Sequence, residues 1–158
     1  MAQAGPILEW QGPGIHPAHA VGTIGAVFGG DAVYTVDGGN TSLWAYSVLP
    51  PTRPSSYHSI LELGMLGTGI PSAIGAKLAL PDRPVVAFVG DGSAMYTVQA
   101  LWTAAHYRIP VIWVILNNTS YRILKQRLVA IDQVRSLARY LLFDLAERMR
   151  HVPGNTEA

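Results

Sequence analysis

The chain has 158 residues, of which 49% are hydrophobic and 13% charged, and its formal net charge is +1. This composition provides a sizeable core for one domain and argues against disorder. Seven of the eleven Lys and Arg residues lie between positions 122 and 150, but this charge is far below that of a nucleic-acid-binding surface. The absence of cysteine excludes disulfides, thiolate metal ligands and a cysteine nucleophile.

The apolar runs of the sequence are too short to cross a membrane, because they end after about six to eight residues and a span needs about 20. The N-terminus lacks the basic stretch of a signal peptide. We therefore expect a cytoplasmic protein that binds neither membrane nor nucleic acid.

Strand-like and helix-like stretches alternate along the first half of the chain. A Gly/Pro-rich lead covers residues 1–15, and a helix is predicted at 16–28, where it ends in two glycines. A short buried strand follows at 32–36, a second helix at 41–48 and a second strand at 59–63.

The second half of the chain continues this alternation. Residues 64–80, GMLGTGIPSAIGAKLAL, are small and apolar and predict a helix packed closely on a sheet. A strand is predicted at 85–89, a helix at 94–107 and a strongly β-prone strand at 111–116. The strands are apolar throughout, which is typical of a parallel sheet covered by helices on both faces. The sequence therefore predicts an α/β fold, a three-layer α/β/α arrangement around a mostly parallel sheet.

Oxygen-bearing side chains or glycines directly follow four predicted strands. They are Asp37, Gly64, Asp91 and the pair Asn117-Asn118. In open parallel sheets, ligands bind at the carboxyl ends of the strands. The glycines beside Asp91 allow backbone N–H groups to approach an anion, and a helix beginning near Ala94 adds its positive end.

A carboxylate beside a phosphate repels it unless a cation lies between them. Asp91 next to a diphosphate therefore implies a cation, and a site made only of oxygen atoms suits Mg²⁺. Asn118 is the candidate for the amide oxygen of that site.

The stretch GDGSAMYTVQALWTAAHYRIPVIWVILNN, residues 90–118, has the Gly-Asp-Gly and Asn-Asn ends of a thiamine-diphosphate motif. With LGTGIPSAIGAKLALPDRPVVAFVGDGS upstream, it resembles the C-terminal, diphosphate-binding domain of the acetolactate synthase, benzoylformate decarboxylase and pyruvate decarboxylase group. The resemblance covers roughly residues 16–128 and implies a thiamine-diphosphate-binding fold for that part of the chain.

The resemblance also implies a role for individual residues. The side chains of Asp91 and Asn118 and the main-chain oxygen of Ser120 hold Mg²⁺. Leu66 is the bulky residue that wedges between the two rings of the cofactor and bends it, and the carbonyl of Gly64 accepts a hydrogen bond from the aminopyrimidine. The remaining cofactor-binding residues are Asn40, Thr41, Gly92, Ser93 and Tyr121.

The implied activity is decarboxylation of a 2-keto acid, or an acetolactate-synthase-like carboligation, with thiamine diphosphate as electron sink. Members of the group also need a glutamate from a pyrimidine-binding domain, for which 158 residues leave no room. We therefore expect that domain in another chain or lost, and a homo-oligomer as the assembled form. The alternative is a fragment that binds the cofactor without catalysis.

Residues 129–158 depart from the group's pattern. Their apolar positions recur at helical spacing, which predicts one amphipathic helix and a tail where the group continues with further strands. On this basis the fold is expected to be truncated at its C-terminus.

Simpler interpretations exist for the same residues. Asp91 alone is most often a loop or helix-capping aspartate, Leu66 an ordinary core leucine, and Asn117-Asn118 a turn. The glycines of residues 61–75 also permit a dinucleotide-binding oxidoreductase domain, although their spacing is not the usual fingerprint.

Overall fold

The structure, a computed structural model, describes residue 12 and residues 14–49, 53–59 and 65–150, with side chains as far as residue 139. In this part of the chain, four parallel strands form one sheet in the order β2-β1-β3-β4. Their bounds are β1 Val33–Val36, β2 Tyr57–Ser59, β3 Val85–Gly90 and β4 Ile112–Leu116.

Helices connect and follow these strands. They are α1 Pro17–Phe28, α2 Asn40–Val48, α3 Gly69–Ala79, α4 Asp91–Ala94, α5 Ala100–His106 and α6 Arg122–Arg150, with a 3₁₀ turn at Gly29–Asp31. Of the helices in the described part of the chain, none combines the length and the apolarity that crossing a bilayer requires.

The sheet carries a separate hydrophobic core on each face. Ala87 and Val89 of β3 pack with α3 and α5 on one face, whereas Val86 and Phe88 pack with α1 and α2 on the other. All four side chains are completely buried. Because both faces of β3 are covered, both sets of alternating positions are apolar. The predicted three-layer α/β/α fold is confirmed.

Helix α1 begins and ends where the sequence predicts. The ring Nδ1 of His16 accepts a hydrogen bond from the N–H of Ala18 at 3.2 Å, and Pro17 occupies the first helical position. At the other end, Gly29 has φ of 60°, and its carbonyl accepts a hydrogen bond from the Tyr34 hydroxyl at 2.8 Å. Burial raises the pKa of Tyr34 above its ordinary value.

The single helix predicted over residues 94–107 is wrong. Helix α4 ends at Ala94, α5 begins at Ala100, and the residues between them form turns whose N–H groups bond carbonyls three residues back. In this interval the Thr97 hydroxyl donates a hydrogen bond to the carbonyl of Gly67 at 2.7 Å. This long-range contact accompanies the tighter turns.

Three predicted boundaries extend beyond the described residues. The second strand, predicted at 59–63, begins two residues earlier, as β2 at Tyr57–Ser59, and residues 60–64 lie outside the description. The same holds for most of the lead at 1–15 and for residues 151–158.

The chain divides into two compact units, residues 1–120 and 121–158. The second unit is dominated by α6, which begins at Arg122 and therefore before the helix predicted at 129. The assignment of 16–128 to cofactor binding and of 129–158 to a helix and tail stays a prediction.

Burial also affects a tyrosine on β2. The hydroxyls of Tyr57 and Ser59 are buried, and neither has a partner with hydrogen-bonding geometry among the described residues. Burial raises the pKa of Tyr57 to about 12; the nearby Ser59 hydroxyl acts in the lowering direction and Tyr46 adds to the rise. The folded chain therefore keeps this phenol protonated well into the alkaline range.

Two glycines of α3 provide a matched test of packing. A Cβ at Gly69 would lie 2.9 Å from the Cβ of Asp37 and 3.0 Å from Cγ2 of Val89, whereas one at Gly75 would meet nothing within 4 Å. Overpacking costs about 1–3 kcal/mol, which exceeds the gain of up to about 1 kcal/mol from replacing a helical glycine. We expect Gly69→Ala to lower the free energy of unfolding by about 1–2 kcal/mol and Gly75→Ala to raise it by about 0.5–1 kcal/mol. Urea unfolding measures both, and equal effects would contradict the close packing at Gly69.

Candidate functional site

The carboxyl ends of three strands meet at one edge of the sheet. Gly90 of β3 pairs with Leu116 of β4, and Val36 of β1 pairs with Phe88 of β3. Neighbouring strands lie about 4.8 Å apart, so the residues that follow them are close in space. As expected from the sequence, these residues are Asp37, Asp91 and Asn117-Asn118.

Two hydroxyl-bearing side chains flank the glycine that precedes Asp91. A Cβ at Gly90 would lie 3.4 Å from Oγ1 of Thr41 and 4.0 Å from Cβ of Ser93. Both side chains are almost fully buried, with exposed fractions of 7% for Thr41 and 6% for Ser93. The fold thus brings together residues from α2 and α4 that are far apart in sequence, and the glycine leaves space between them.

Helix α2 presents its N-terminus at the same place. Asn40 is its first residue, and the preceding Gly39, with φ of 77°, gives the helix no side-chain cap. The hydroxyl of Ser42 donates to the carbonyl of Gly39 at 2.7 Å, which closes the turn. The first N–H groups of a nine-residue helix and its positive dipole end suit an anion.

Leu66 packs against this same turn. Its Cδ2 lies 3.2 Å from the position a Cβ would take at Gly38 and 3.7 Å from that at Gly39. A larger residue at Gly38 would also collide with the carbonyl of Met65. Leu66 is half-buried, so one side of it contacts the glycines while another side faces solvent.

The predicted metal ligands lie at the ends of β3 and β4. Asp91 is the first residue of α4 and is half-buried, and no hydrogen bond or ion pair holds its carboxylate among the described residues. The Oδ1 of Asn118 accepts a hydrogen bond from the N–H of Ser120 at 3.0 Å. An amide oxygen has two lone pairs, so one remains for a cation. One carboxylate and one amide oxygen are ligands that fit Mg²⁺.

The turn after β4 is strained at Thr119. This residue has φ of 53°, a conformation unfavourable for a β-branched side chain. Its N–H donates to Oδ1 of Asn117 at 2.9 Å and its hydroxyl to the carbonyl of Asn118 at 2.8 Å. Such strain costs about 1–3 kcal/mol and persists where surrounding contacts determine the backbone. The turn that carries Asn118 and Ser120 is therefore held in one specific shape.

Of the other predicted residues, the structure places Gly92 at this edge but does not place Gly64 or Tyr121 there. Gly92 lies within α4, next to Asp91. Gly64 lies outside the described residues, and Tyr121 belongs to the second unit, which is described separately.

The sequence analysis did not identify two residues that stabilise this region. Asp37 was noted only as a strand end, yet its buried carboxylate accepts hydrogen bonds from the N–H groups of Gly38 and Gly67. Thr97 carried no signal in the sequence, because its bond to Gly67 joins residues 30 positions apart.

The sheet, the glycine turns and the strand ends define an α/β domain with oxygen-bearing side chains and a helix N-terminus at one edge of the sheet. A family model described as "Thiamine pyrophosphate enzyme, C-terminal TPP binding domain" matches residues 37–149. The chain therefore belongs to the thiamine pyrophosphate enzyme family, in which it corresponds to the C-terminal TPP binding domain.

Known proteins agree with this assignment. Benzoylformate decarboxylase of Pseudomonas aeruginosa is 37% identical over 120 residues, which are 76% of this chain and 22% of that protein. The large subunit of acetolactate synthase isozyme 3 of Escherichia coli is 38% identical over 112 residues, 71% of this chain and 20% of that subunit.

A solved structure has the same fold. The thiamine diphosphate-dependent 4-hydroxybenzoylformate decarboxylase of Rhodococcus jostii RHA1 aligns with a TM-score of 0.71 and 39% identity, covering 78% of this chain and 23% of that one. The chain thus spans about a fifth of the length of the relatives that it matches.

Proposed function

We propose that this chain binds thiamine diphosphate and Mg²⁺ as part of a 2-keto-acid decarboxylase or an acetolactate-synthase-like carboligase. The observation that carries the proposal is the convergence of Thr41 and Ser93 on Gly90, directly before Asp91, in a chain of the thiamine pyrophosphate enzyme family.

In this proposal, Gly90 and the two hydroxyls beside it would hold the diphosphate. Thr41 and Ser93 donate hydrogen bonds to its oxygens, and the backbone N–H groups at Asn40 and Gly92 face the same charge. The Asp91 carboxylate tolerates the diphosphate because Mg²⁺ lies between them. The relevant residues are already buried or half-buried, so little side-chain entropy is lost when the ligand binds.

The remaining metal ligands come from the strained turn after β4. Asn118 contributes the free lone pair of its side-chain oxygen, and Ser120 contributes its main-chain carbonyl. A turn held in one shape favours a fixed arrangement of ligands, which Mg²⁺ requires more strictly than larger cations.

In this proposal, Leu66 would contact the two rings of the cofactor. The roles of Gly64, which lies outside the described residues, and of Tyr121, which belongs to the second unit, stay predictions from the sequence. The chemistry that the bound cofactor supplies is addition to the keto carbon of a 2-keto acid and acceptance of the electron pair released with CO₂. The protein's own contribution is orientation and anchoring. We also propose that a pyrimidine-binding domain supplies the glutamate for this reaction, and that the assembled protein is a cytoplasmic homo-oligomer.

The dinucleotide interpretation is less favourable for a physical reason. A pyrophosphate of that kind binds the N–H groups of a glycine-rich loop at the start of a helix. Here the N–H of Gly67, just before α3, is taken by the buried carboxylate of Asp37 at 3.0 Å. A second anion at the same position would be repelled.

Calorimetric titration of the 158-residue chain tests the proposal. We expect thiamine diphosphate to bind in MgCl₂ and to give no measurable heat in EDTA, because the cation bridges the diphosphate and Asp91. Equal binding in both solutions would contradict the Mg²⁺ bridge. Binding of NADH instead of thiamine diphosphate would support the dinucleotide interpretation.

A further inference from the structure

The peptide groups of Gly67 are held on both sides by side chains from other parts of the fold. Its N–H donates to Oδ1 of Asp37 at 3.0 Å, and its carbonyl accepts from the hydroxyl of Thr97 at 2.7 Å. Gly67 is buried and has φ of 82°, and a Cβ there would clash with Tyr96. The chain therefore passes this point in a single conformation.

The charge of Asp37 is stabilised without a cationic partner among the described residues. Its side chain is completely buried, and Oδ1 also accepts the N–H of Gly38 at 2.7 Å. Its Oδ2 has no hydrogen-bond partner among the described residues and lies 3.1 Å from the Cβ position of Gly69, the first residue of α3. The positive end of this 11-residue helix and two N–H donors compensate the burial of the carboxylate.

The residue fixed by this arrangement is Leu66, which directly precedes Gly67. The peptide bond between Leu66 and Gly67 carries the N–H that donates to Asp37. The side chain of Leu66 packs on Gly38 and Gly39, which follow Asp37. Asp37 therefore determines both the backbone next to Leu66 and the surface on which Leu66 packs.

Thr97 extends the same connection to the segment that starts with Asp91. It follows Ser93 by one turn, and its N–H bonds the carbonyl of Ala94 at 3.2 Å. The Thr97 side chain therefore connects the segment that begins at Asp91, the proposed diphosphate-binding segment, directly to the carbonyl of Gly67.

We propose that Asp37 and Thr97 are positioning residues, which hold Leu66 in place through Gly67 and couple it to the diphosphate-binding segment. The consequence for cofactor binding rests on the proposed function, in which Leu66 contacts the cofactor rings. The holding of Gly67 itself is a property of the chain without cofactor, so it is tested separately.

The test is amide hydrogen exchange of Gly67, followed by NMR on the full chain. Loss of a neutral hydrogen bond increases local opening roughly two- to tenfold, and loss of one to a charged group roughly ten- to a hundredfold. We expect Thr97→Val to accelerate the exchange of Gly67 within the first range and to change the Leu66 methyl shifts. Thr97→Ser, which keeps the hydroxyl, restores both, and Thr103→Val in α5 serves as the matched control.

Asp37→Asn keeps the shape of the side chain but replaces the charged acceptor by a neutral amide oxygen, and we expect faster exchange of Gly67 within the first range. Asp31→Asn, on an exposed carboxylate that pairs with Arg53, is the control. Equal acceleration at Gly67 and at the β3 amides in both variants would show a general loss of stability and overturn the positioning role. If Asp37→Asn fails to fold, Thr97→Val and Thr97→Ser decide the result.

Addition of thiamine diphosphate and MgCl₂ tests the coupling. We expect binding to slow the exchange of Gly67 in the unmodified chain by about tenfold and to have a smaller effect in Thr97→Val. Binding without any effect on Gly67 would overturn the coupling. Absence of binding would contradict the proposed function, and the cofactor-free exchange data would still establish or overturn the holding of Gly67.

Discussion

Replacement of Asp91 by alanine is expected to abolish nearly all binding of thiamine diphosphate in MgCl₂. The substitution removes the one charged protein ligand of the proposed Mg²⁺ site, and loss of even an indirect metal contact typically costs about 10–100-fold in affinity. We therefore expect a loss of at least about a hundredfold, measured by calorimetric titration, with residual binding that no longer responds to EDTA.

Two further variants show whether the loss is specific. Asp82→Asn changes an exposed carboxylate in the turn before β3 and should leave binding unchanged. Asn118→Asp should keep Mg²⁺-dependent binding, because a carboxylate also coordinates the cation. If Asp91→Ala bound thiamine diphosphate with unchanged affinity, Asp91 would not be a ligand of the cation, even if the cofactor occupies the proposed site.

The second expectation is that the chain alone, saturated with thiamine diphosphate and Mg²⁺, decarboxylates 2-keto acids no faster than the free cofactor. The proposed reaction needs a glutamate from a pyrimidine-binding domain, which activates the pyrimidine ring. The glutamates of this sequence are Glu9, Glu62, Glu147 and Glu157. None of them lies in the context of such a domain. Release of CO₂ from pyruvate and benzoylformate measures the rate.

Addition of a pyrimidine-binding domain distinguishes an enzyme component from a binding fragment. Restored turnover would support the enzyme, whereas unchanged rates with intact cofactor binding would support the non-catalytic interpretation. Robust turnover by the single chain would contradict the need for a second domain.

In the restored enzyme, Leu66→Ala should lower kcat far more than cofactor affinity. The diphosphate anchor at Asp91, Ser93 and Asn118 stays in place, while the bent geometry of the cofactor relaxes. Misplacement of reacting groups by about 1 Å can cost about a hundredfold in rate. Leu78→Ala, on an exposed leucine of α3, is the matched control. An equal loss of affinity and rate would contradict this role of Leu66.

Most of the architecture could be predicted from local patterns. The unbroken apolar run of β3 indicated a strand buried on both faces, and the two glycines after Phe28 marked the end of α1, as the structure has them. The placement of Asp91 and Asn118 at one edge followed from the rule that parallel strands end on the same side of a sheet. Each of these inferences depends on neighbours in sequence or on a general property of parallel sheets.

The interruption between α4 and α5 could not be predicted in this way. Residues 94–107 have a good local preference for a helix. In the structure, residues 95–99 form tighter turns, and Thr97 within them bonds Gly67, 30 residues away in sequence. The convergence of Thr41 and Ser93 on Gly90 was equally inaccessible, because it depends on how α2 and α4 pack on the sheet.

By itself, the sequence determined that this protein is an α/β domain with glycines and oxygen-bearing side chains at its strand ends, because both features are periodicities and spacings along the chain. Only the tertiary structure decided that Asp37 is buried against Gly67 and the start of α3, and that Leu66 rests on the glycines next to it. The physical reason is that a buried carboxylate is tolerated only where donors and a helix dipole from distant segments surround it. These partners come together only when the chain folds.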